Sequence, residues 1–190
     1  MDFEQQEREK YQKSWDHKDY RNYAPGEHLA VPFILQAKPP RGTVITDWGT
    51  GTGRGALFLH ECGYQLQLID IAENCLDDDV RGVLGDKLQL ATLWDATPEH
   101  APTGYCTDVM EHIPPEMVEA TIANIMQHCD KVYFNICFHE DHFGKEIGDH
   151  LHLTVKPFKW WRDLLRQYGD LTDARDMIFN GSFILEARHD

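Results

Sequence analysis

The chain has 190 residues, 42% of them hydrophobic, and its 32 acidic against 18 basic side chains give a net charge of −14. That length is about one domain with a single sizeable core, the hydrophobic share excludes wholesale disorder, and the charge opposes non-specific nucleic-acid binding. No apolar run approaches the ~20 residues of a membrane span and the start of the chain lacks the basic and apolar regions of a secretion signal, so a cytoplasmic protein with no membrane partner is expected.

Residues 3–17 read as a polar N-terminal helix, and 26–37 as a second helix after Pro25-Gly26. A strand is predicted over 43–47, a helix over 53–62, a second strand over 65–70 and a short third strand near 88–92. A fourth strand over 104–108 precedes a helix over 115–128. In the fifth strand, 131–137, Val132, Phe134 and Ile136 alternate with Tyr133 and Asn135. The helix from Pro157 to Tyr168 carries an apolar stripe, Trp161, Leu164, Leu165 and Tyr168, and Gly169 stops it; Lys156, Lys159, Arg162 and Arg166 around the stripe read as a solvated face. Two last strands, near 175–180 and 182–187, are expected as an antiparallel hairpin turning at Asn180-Gly181. Alternating strands and helices imply a parallel sheet with helices on both faces. The five cysteines, Cys62, Cys75, Cys106, Cys129 and Cys137, are odd in number without a C-x-x-C pair and read as reduced residues, Cys106 and Cys137 as small core side chains.

The most specific signal joins the first two strands. Val44-Ile45-Thr46-Asp47-Trp48 runs into Gly49-Thr50-Gly51-Thr52-Gly53-Arg54-Gly55 and then into a helix. Glycines there let backbone approach a ligand and adopt positive φ, and the helix start presents unpaired N–H groups. Seventeen residues after Gly53 the second strand ends in Asp70, placed to accept hydrogen bonds from both hydroxyls of a ribose. The spacing is not the G-x-G-x-x-G of a dinucleotide site.

The acid-x-Gly-x-Gly-x-Gly pattern from Asp47 to Gly53 resembles the first motif of class I S-adenosylmethionine-dependent methyltransferases, and Asp70 matches that family's ribose-binding acid. Thr107-Asp108-Val109-Met110-Glu111-His112-Ile113-Pro114-Pro115 is similar to the segment that follows strand four in many small-molecule members. The three motifs stand in the family's order and cover about residues 40 to 140, with Trp48 and Thr50 departing from the smaller residues or cysteine often seen there. The resemblance implies a Rossmann-like, seven-stranded, mostly parallel α/β sheet with an antiparallel last strand, and S-adenosyl-L-methionine as cofactor. Tyr20 to Glu27 and Leu151-His152-Leu153-Thr154 also look similar to small methyltransferase-like proteins of bacteriophage genomes.

Site residues follow from the same resemblance. Asp47, Gly49, Thr50, Gly51 and Gly53 would cradle the methionine portion, Asp47 meeting its amino group or else only capping the turn. Asp70 would hold the ribose, with Ile71, Trp94 and Asp95 around the adenine, although Trp94-Asp95 also reads as a surface turn. Asp108 is assigned to the cofactor side. His112 and Glu111 would line the space between cofactor and acceptor, His112 as a base with a pKa near neutrality or as a helix-start histidine bonded to backbone. Residues 1–38 are expected as a helical lid on the single domain 1–190, with Tyr11 and Trp15 packed there and Tyr20 or Arg21 reaching the methionine carboxylate. Residues 138–156 are expected to cover the cleft, so that His139, His142, His150 and His152 contact the acceptor.

His139-Glu140-Asp141-His142 and Asp149-His150-Leu151-His152 also raise a metal site, with His150 and His152 on one side of an extended segment. Eleven histidines make such clusters common by chance, no recognisable zinc spacing is present, and no metal is expected. The reading is a methyltransferase acting on an oxygen or nitrogen of a small molecule or a nucleotide-sized unit. A cofactor-cleaving enzyme on the same fold and a catalytically silent cofactor-binding module stay open as alternatives.

Overall fold

Val44-Ile45-Thr46-Asp47-Trp48 is β-branched or aromatic at four of its five positions, and it sits at the centre of the sheet as β1 (Val44–Trp48) with strands on both sides. The computed structural model describes residues 3–188. In chain order the elements are α1 (Phe3–Asp16), α2 (Lys18–Asn22), α3 (Gly26–Ala37), β1, α4 (Arg54–Glu61), β2 (Gln65–Asp70), α5 (Asp78–Leu84) and β3 (Leu88–Leu90). They continue with β4 (Ala101–Thr107), α6 (Val118–His128), β5 (Cys129–Cys137), α7 (Gly144–Ile147), α8 (Phe158–Tyr168), β6 (Asp170–Asp176) and β7 (Asn180–Glu186).

The seven strands form one sheet in the order β3-β2-β1-β4-β5-β7-β6, parallel except where β7 pairs antiparallel with β5 and β6. Strand order reverses between β1 and β4, which leaves a crevice above the carboxyl ends of β1, β2, β4 and β5. Because successive side chains point to opposite faces, β5 sends Val132, Phe134 and Ile136 into one core and Tyr133 into the other. On the first face α6 and α8 supply Ile122, Ile125, Trp161 and Leu165. On the second, α3, α4 and α5 supply Phe33, Leu59 and Val80. Phe33 packs against both of the stacked rings of Tyr105 and Tyr133, 4.9 and 5.7 Å from them. All five cysteines are free, and Cys106 and Cys137 are buried in strands as expected.

Three expectations need correction. The hairpin does not turn at Asn180-Gly181: these residues begin β7, and the turn is Met177-Ile178-Phe179, with Ile178 at φ +75°. Asn180 and Gly181 are instead held by β5 partners Cys137 and Ile136, so a third strand overrides the local turn preference. The short helices α2, α5 and α7 were not foreseen, and the helix expected from 115 opens as a one-turn 3-10 segment, Pro115–Met117. The basic residues of α8 do form a solvated face, in which Lys159, Arg162 and Arg166 converge on Asp163. No helix among the described residues is long and apolar enough to cross a membrane.

Candidate active site

At the end of β1 the chain doubles back over the sheet, and the N–H groups of Gly49 and Thr50 both donate to the Ile69 carbonyl at 2.9 Å. Gly49 has φ +78°, and a Cβ there would lie 2.5 Å from a Val109 methyl. Gly51 has φ +53° and faces the Trp15 ring, which a Cβ would meet at 3.0 Å. Two acids hold this loop from beneath. Asp47 accepts from the Thr50 hydroxyl at 2.8 Å. Asp70 accepts from the N–H of Gly51 and of Ala72, both at 2.9 Å. Burial lifts the Asp47 carboxyl to about 7, with the Thr50 bond opposing and the Asp70 charge adding. Burial raises Asp70 to about 6 against backbone N–H bonds from Ala72, Gly51 and Ile71.

This loop and the two acids face a cavity of about 830 Å³. One end is walled by Ile71, Leu93 and Trp94, and the other by Asp108, His112, Asn135, His139 and His152. Tyr11, Trp15 and Tyr20 of the N-terminal segment line its upper side together with Asp141, His142 and Phe143. Tyr20 packs on Trp15 and Phe143, with ring centroids at 4.7 and 5.0 Å. Helix α1 is tied to both rims. Lys10 and Lys13 donate to the carbonyls of His150 and Ile147, while the Asn74 side chain donates to the Gln12 carbonyl at 2.9 Å.

The far end is built from three separate stretches. After β4, Asp108 takes φ +58° and leads into the single 3-10 turn Met110–His112. Glu111 is fully buried: one carboxyl oxygen accepts from the Cys137 N–H at 2.8 Å, and the other lies against the Asp108 carboxyl with no protein donor. Burial, then the Asp108 charge, pushes Glu111 well above the usual carboxyl range, and burial raises Asp108 as well. Thr154 closes the arrangement, its N–H donating to the Glu111 carbonyl at 2.8 Å and its hydroxyl to the Ile113 carbonyl at 2.6 Å. That anchorage sets His152 edge-on to His112, ring centroids 4.7 Å apart. Desolvation holds His112 well below its ordinary value, the His152 and Lys10 charges adding to the effect.

Of the residues singled out in the sequence, Asp47, Gly49, Thr50, Gly51, Asp70, Ile71, Trp94, Asp108 and Tyr20 line the cavity, as do His112, His139, His142 and His152. Five do not. Gly53 is the N-cap of α4 at φ +73°, where a Cβ would strike Val80 and Leu76, so its glycine serves packing. Asp95 is exposed and lies 3.3 Å from the Thr92 hydroxyl, the surface turn. Arg21 points away from the cavity into a cage of the Trp15, Asn74 and Cys75 carbonyls and the Asp77 carboxylate, leaving nothing to meet a ligand carboxylate. Glu111 stands behind the wall. His150 is exposed near Glu140, and it does not share a side with His152, because 151–157 pairs with no strand that would enforce alternation. Asn135 was not identified as a site residue. Its only signal was a polar side chain in an apolar strand, and its buried amide nitrogen has no partner.

A sheet with this strand order, a glycine loop after β1 and an acid closing β2 defines the class I methyltransferase fold. No family model and no curated protein matches the chain. Among solved structures, the 1,6-didemethyltoxoflavin-N1-methyltransferase of Burkholderia thailandensis, with 1,6-didemethyltoxoflavin and S-adenosylhomocysteine bound, is similar at a TM-score of 0.72 and 14% identity, over 96% of this chain and 87% of that one. Magnesium protoporphyrin IX methyltransferase from Synechocystis PCC 6803, with S-adenosylmethionine bound, is similar at a TM-score of 0.62 and 15% identity, over 99% and 85%. A protein of Pyrococcus horikoshii OT3 follows at 0.69 and 12%, over 92% and 93%.

Proposed function

We propose that the protein binds S-adenosyl-L-methionine and transfers its methyl group to an oxygen or nitrogen of a small molecule or nucleotide-sized unit. The observation that carries this reading is the pairing of Asp47 and Asp70 around the Gly49-Thr50-Gly51 turn at one cavity. Asp70 retains lone pairs for two ribose hydroxyls, Ile71, Leu93 and Trp94 offer an apolar wall to an adenine, and Asp47 offers negative charge to an ammonium group. The fold neighbours that hold the same cofactor or its product support it.

In the transfer, a lone pair on the acceptor forms a bond to the methyl carbon as the carbon–sulfur bond breaks. That bond's electrons stay on sulfur as a neutral thioether, and the acceptor's proton leaves. The protein's share is alignment and exclusion of water. His112, kept neutral by desolvation, stands at the acceptor end of the cavity to take that proton, with Glu111 behind it. The covering segments 1–38 and 138–156 would act as lids, and the free cysteines fit a reducing, cytoplasmic setting.

Titration calorimetry with S-adenosylmethionine and its demethylated product tests the cofactor assignment. Asp70→Ala should weaken both by about 1 to 3 kcal/mol through loss of a charged acceptor. No binding by the wild type, or unchanged binding in the variant, overturns the reading. Incubation with the cofactor alone distinguishes transfer from cleavage, since breakdown without an acceptor would mark a lyase.

A further inference from the structure

The acceptor end of the cavity contains more ligating capacity than a single base requires. One atom each from Glu111, His112 and His152 lie within 4.8 Å of one another, on the 3-10 turn after β4 and on the stretch that Thr154 pins against it. The unsatisfied groups here are buried. One Glu111 carboxyl oxygen has only the Asp108 carboxyl beside it, the His112 Nδ1 has no hydrogen-bond partner, and among the described residues no lysine or arginine forms an ion pair with Glu111 or Asp108. Leaving such groups bare costs about 1 to 3 kcal/mol each, more for a charged one.

The groups behind these atoms are already oriented. His152 Nδ1 lies 2.7 Å from the His139 carbonyl oxygen, which only accepts, so in a neutral imidazole the proton sits on Nδ1 and the Nε2 lone pair is free. The second Glu111 oxygen is held by the Cys137 N–H at 2.8 Å. A histidine whose other nitrogen is fixed by a carbonyl, beside a carboxylate whose other oxygen is fixed by a backbone N–H, is the outer-shell pattern of a metal site. Two imidazoles and one carboxylate suit a first-row divalent ion and leave positions open for water or substrate.

We propose that Glu111, His112 and His152 bind one divalent cation of the zinc, manganese or cobalt type, which would coordinate an acceptor hydroxyl at the far end of the cavity. Ligand atoms around such an ion stand about 3 to 3.5 Å apart, so the three side chains close in by roughly an ångström on loading. This set differs from the His139-to-His142 and His150 cluster raised by the sequence, and it replaces the expectation of no metal. The cation's role in methyl transfer rests on the function proposed above, whereas the cation site does not. With the ion bound, His112 acts as a ligand, and the acceptor hydroxyl loses its proton to water more readily because its oxygen is coordinated.

Protein stripped with a chelator and dialysed is loaded with Co2+ and, separately, with Zn2+. The expected result is one ion per chain, with visible d–d absorption for cobalt, and at least about tenfold weaker binding in Glu111→Gln and His152→Ala. Glu111→Gln preserves the acceptor for the Cys137 N–H, and His100→Ala, exposed beside Asp130, should bind as the wild type does. Absent d–d bands in the wild type, or equal stoichiometry and affinity in both ligand variants, overturn the site. Calorimetry of the metal-free protein with S-adenosylmethionine reports on the cofactor reading independently.

Discussion

Asp47 and Asp70 illustrate how one residue couples stability to ligand binding. Both carboxyls are raised by burial, to about 7 and about 6, so between their unfolded values near 3.8 and these figures the folded chain holds more protons than the unfolded one. Stability from both is therefore fully present below pH ~4 and is lost as pH rises through ~7. Asp47→Asn removes its share of that slope, and the ligand-free variant should melt above the wild type at pH 8 but not at pH 4.5. A cationic group bound beside Asp47 stabilises the carboxylate, so binding near pH 6.5 should expel a proton. Calorimetry in two buffers of different ionisation enthalpy reads this directly: a buffer-independent heat in the wild type, or a buffer dependence that survives in Asp47→Asn, contradicts the assignment. His112 belongs to the other end of the cavity. Under the proposed function, His112→Ala should lower kcat by about a hundredfold or more and leave the cofactor Kd nearly unchanged, because as base or as ligand it would serve the acceptor and not the cofactor. A matched loss of cofactor affinity would remove it from that role.

At the scale of elements, the N-terminal segment is held across the cavity by polar ties at both ends rather than by a long apolar face. Arg21 supplies much of one end through Asp77 and three carbonyls, although it touches nothing inside. Arg21→Ala should therefore weaken cofactor binding several-fold and speed amide exchange in 1–25, while exchange in β1 and β4 stays slow. Unchanged exchange in that segment would show that the aromatic contacts of Trp15 and Tyr20 hold it alone. The same elements show what could be read beforehand. The first five strands were legible because each is largely apolar and the glycine loop and Asp70 stand at fixed distances, whereas β6, polar and half exposed, lies at Asp170–Asp176 and not at the expected 175–180. Arg21 was misread because a cation near a ligand loop suggests a ligand contact, and only the fold brings the Asn74 and Cys75 carbonyls and the Asp77 carboxylate to it. The hairpin turn shifted because Asn180-Gly181 states a local preference that pairing with β5 overrides. His152 meets Glu111 and His112 through Thr154, a contact between residues some forty positions apart that no local pattern announces.

Over the whole molecule the charge is −14, and Asp47, Asp70, Asp108 and Asp141 bring part of the acidic excess to the cavity. S-adenosylmethionine carries one net positive charge, from its sulfonium and ammonium against its carboxylate, whereas its demethylated product is neutral. A negative cleft focuses the field on a cation and raises its association rate, and salt screens this as the Debye length falls from about 30 Å at 0.01 M to about 8 Å at 0.15 M. Trp15 and Trp94 line the cavity and supply a fluorescence signal for stopped-flow mixing. The association rate of S-adenosylmethionine should fall several-fold across that salt range while that of the product stays flat, so product affinity changes little with salt. The same field should repel a duplex, and a gel shift at low salt is expected to show no binding at micromolar protein. Parallel salt dependence for cofactor and product would mean that binding is governed by local contacts alone. A retarded duplex would mean that the acceptor end is open to polyphosphate despite the charge, and the compact-acceptor reading would fall with it.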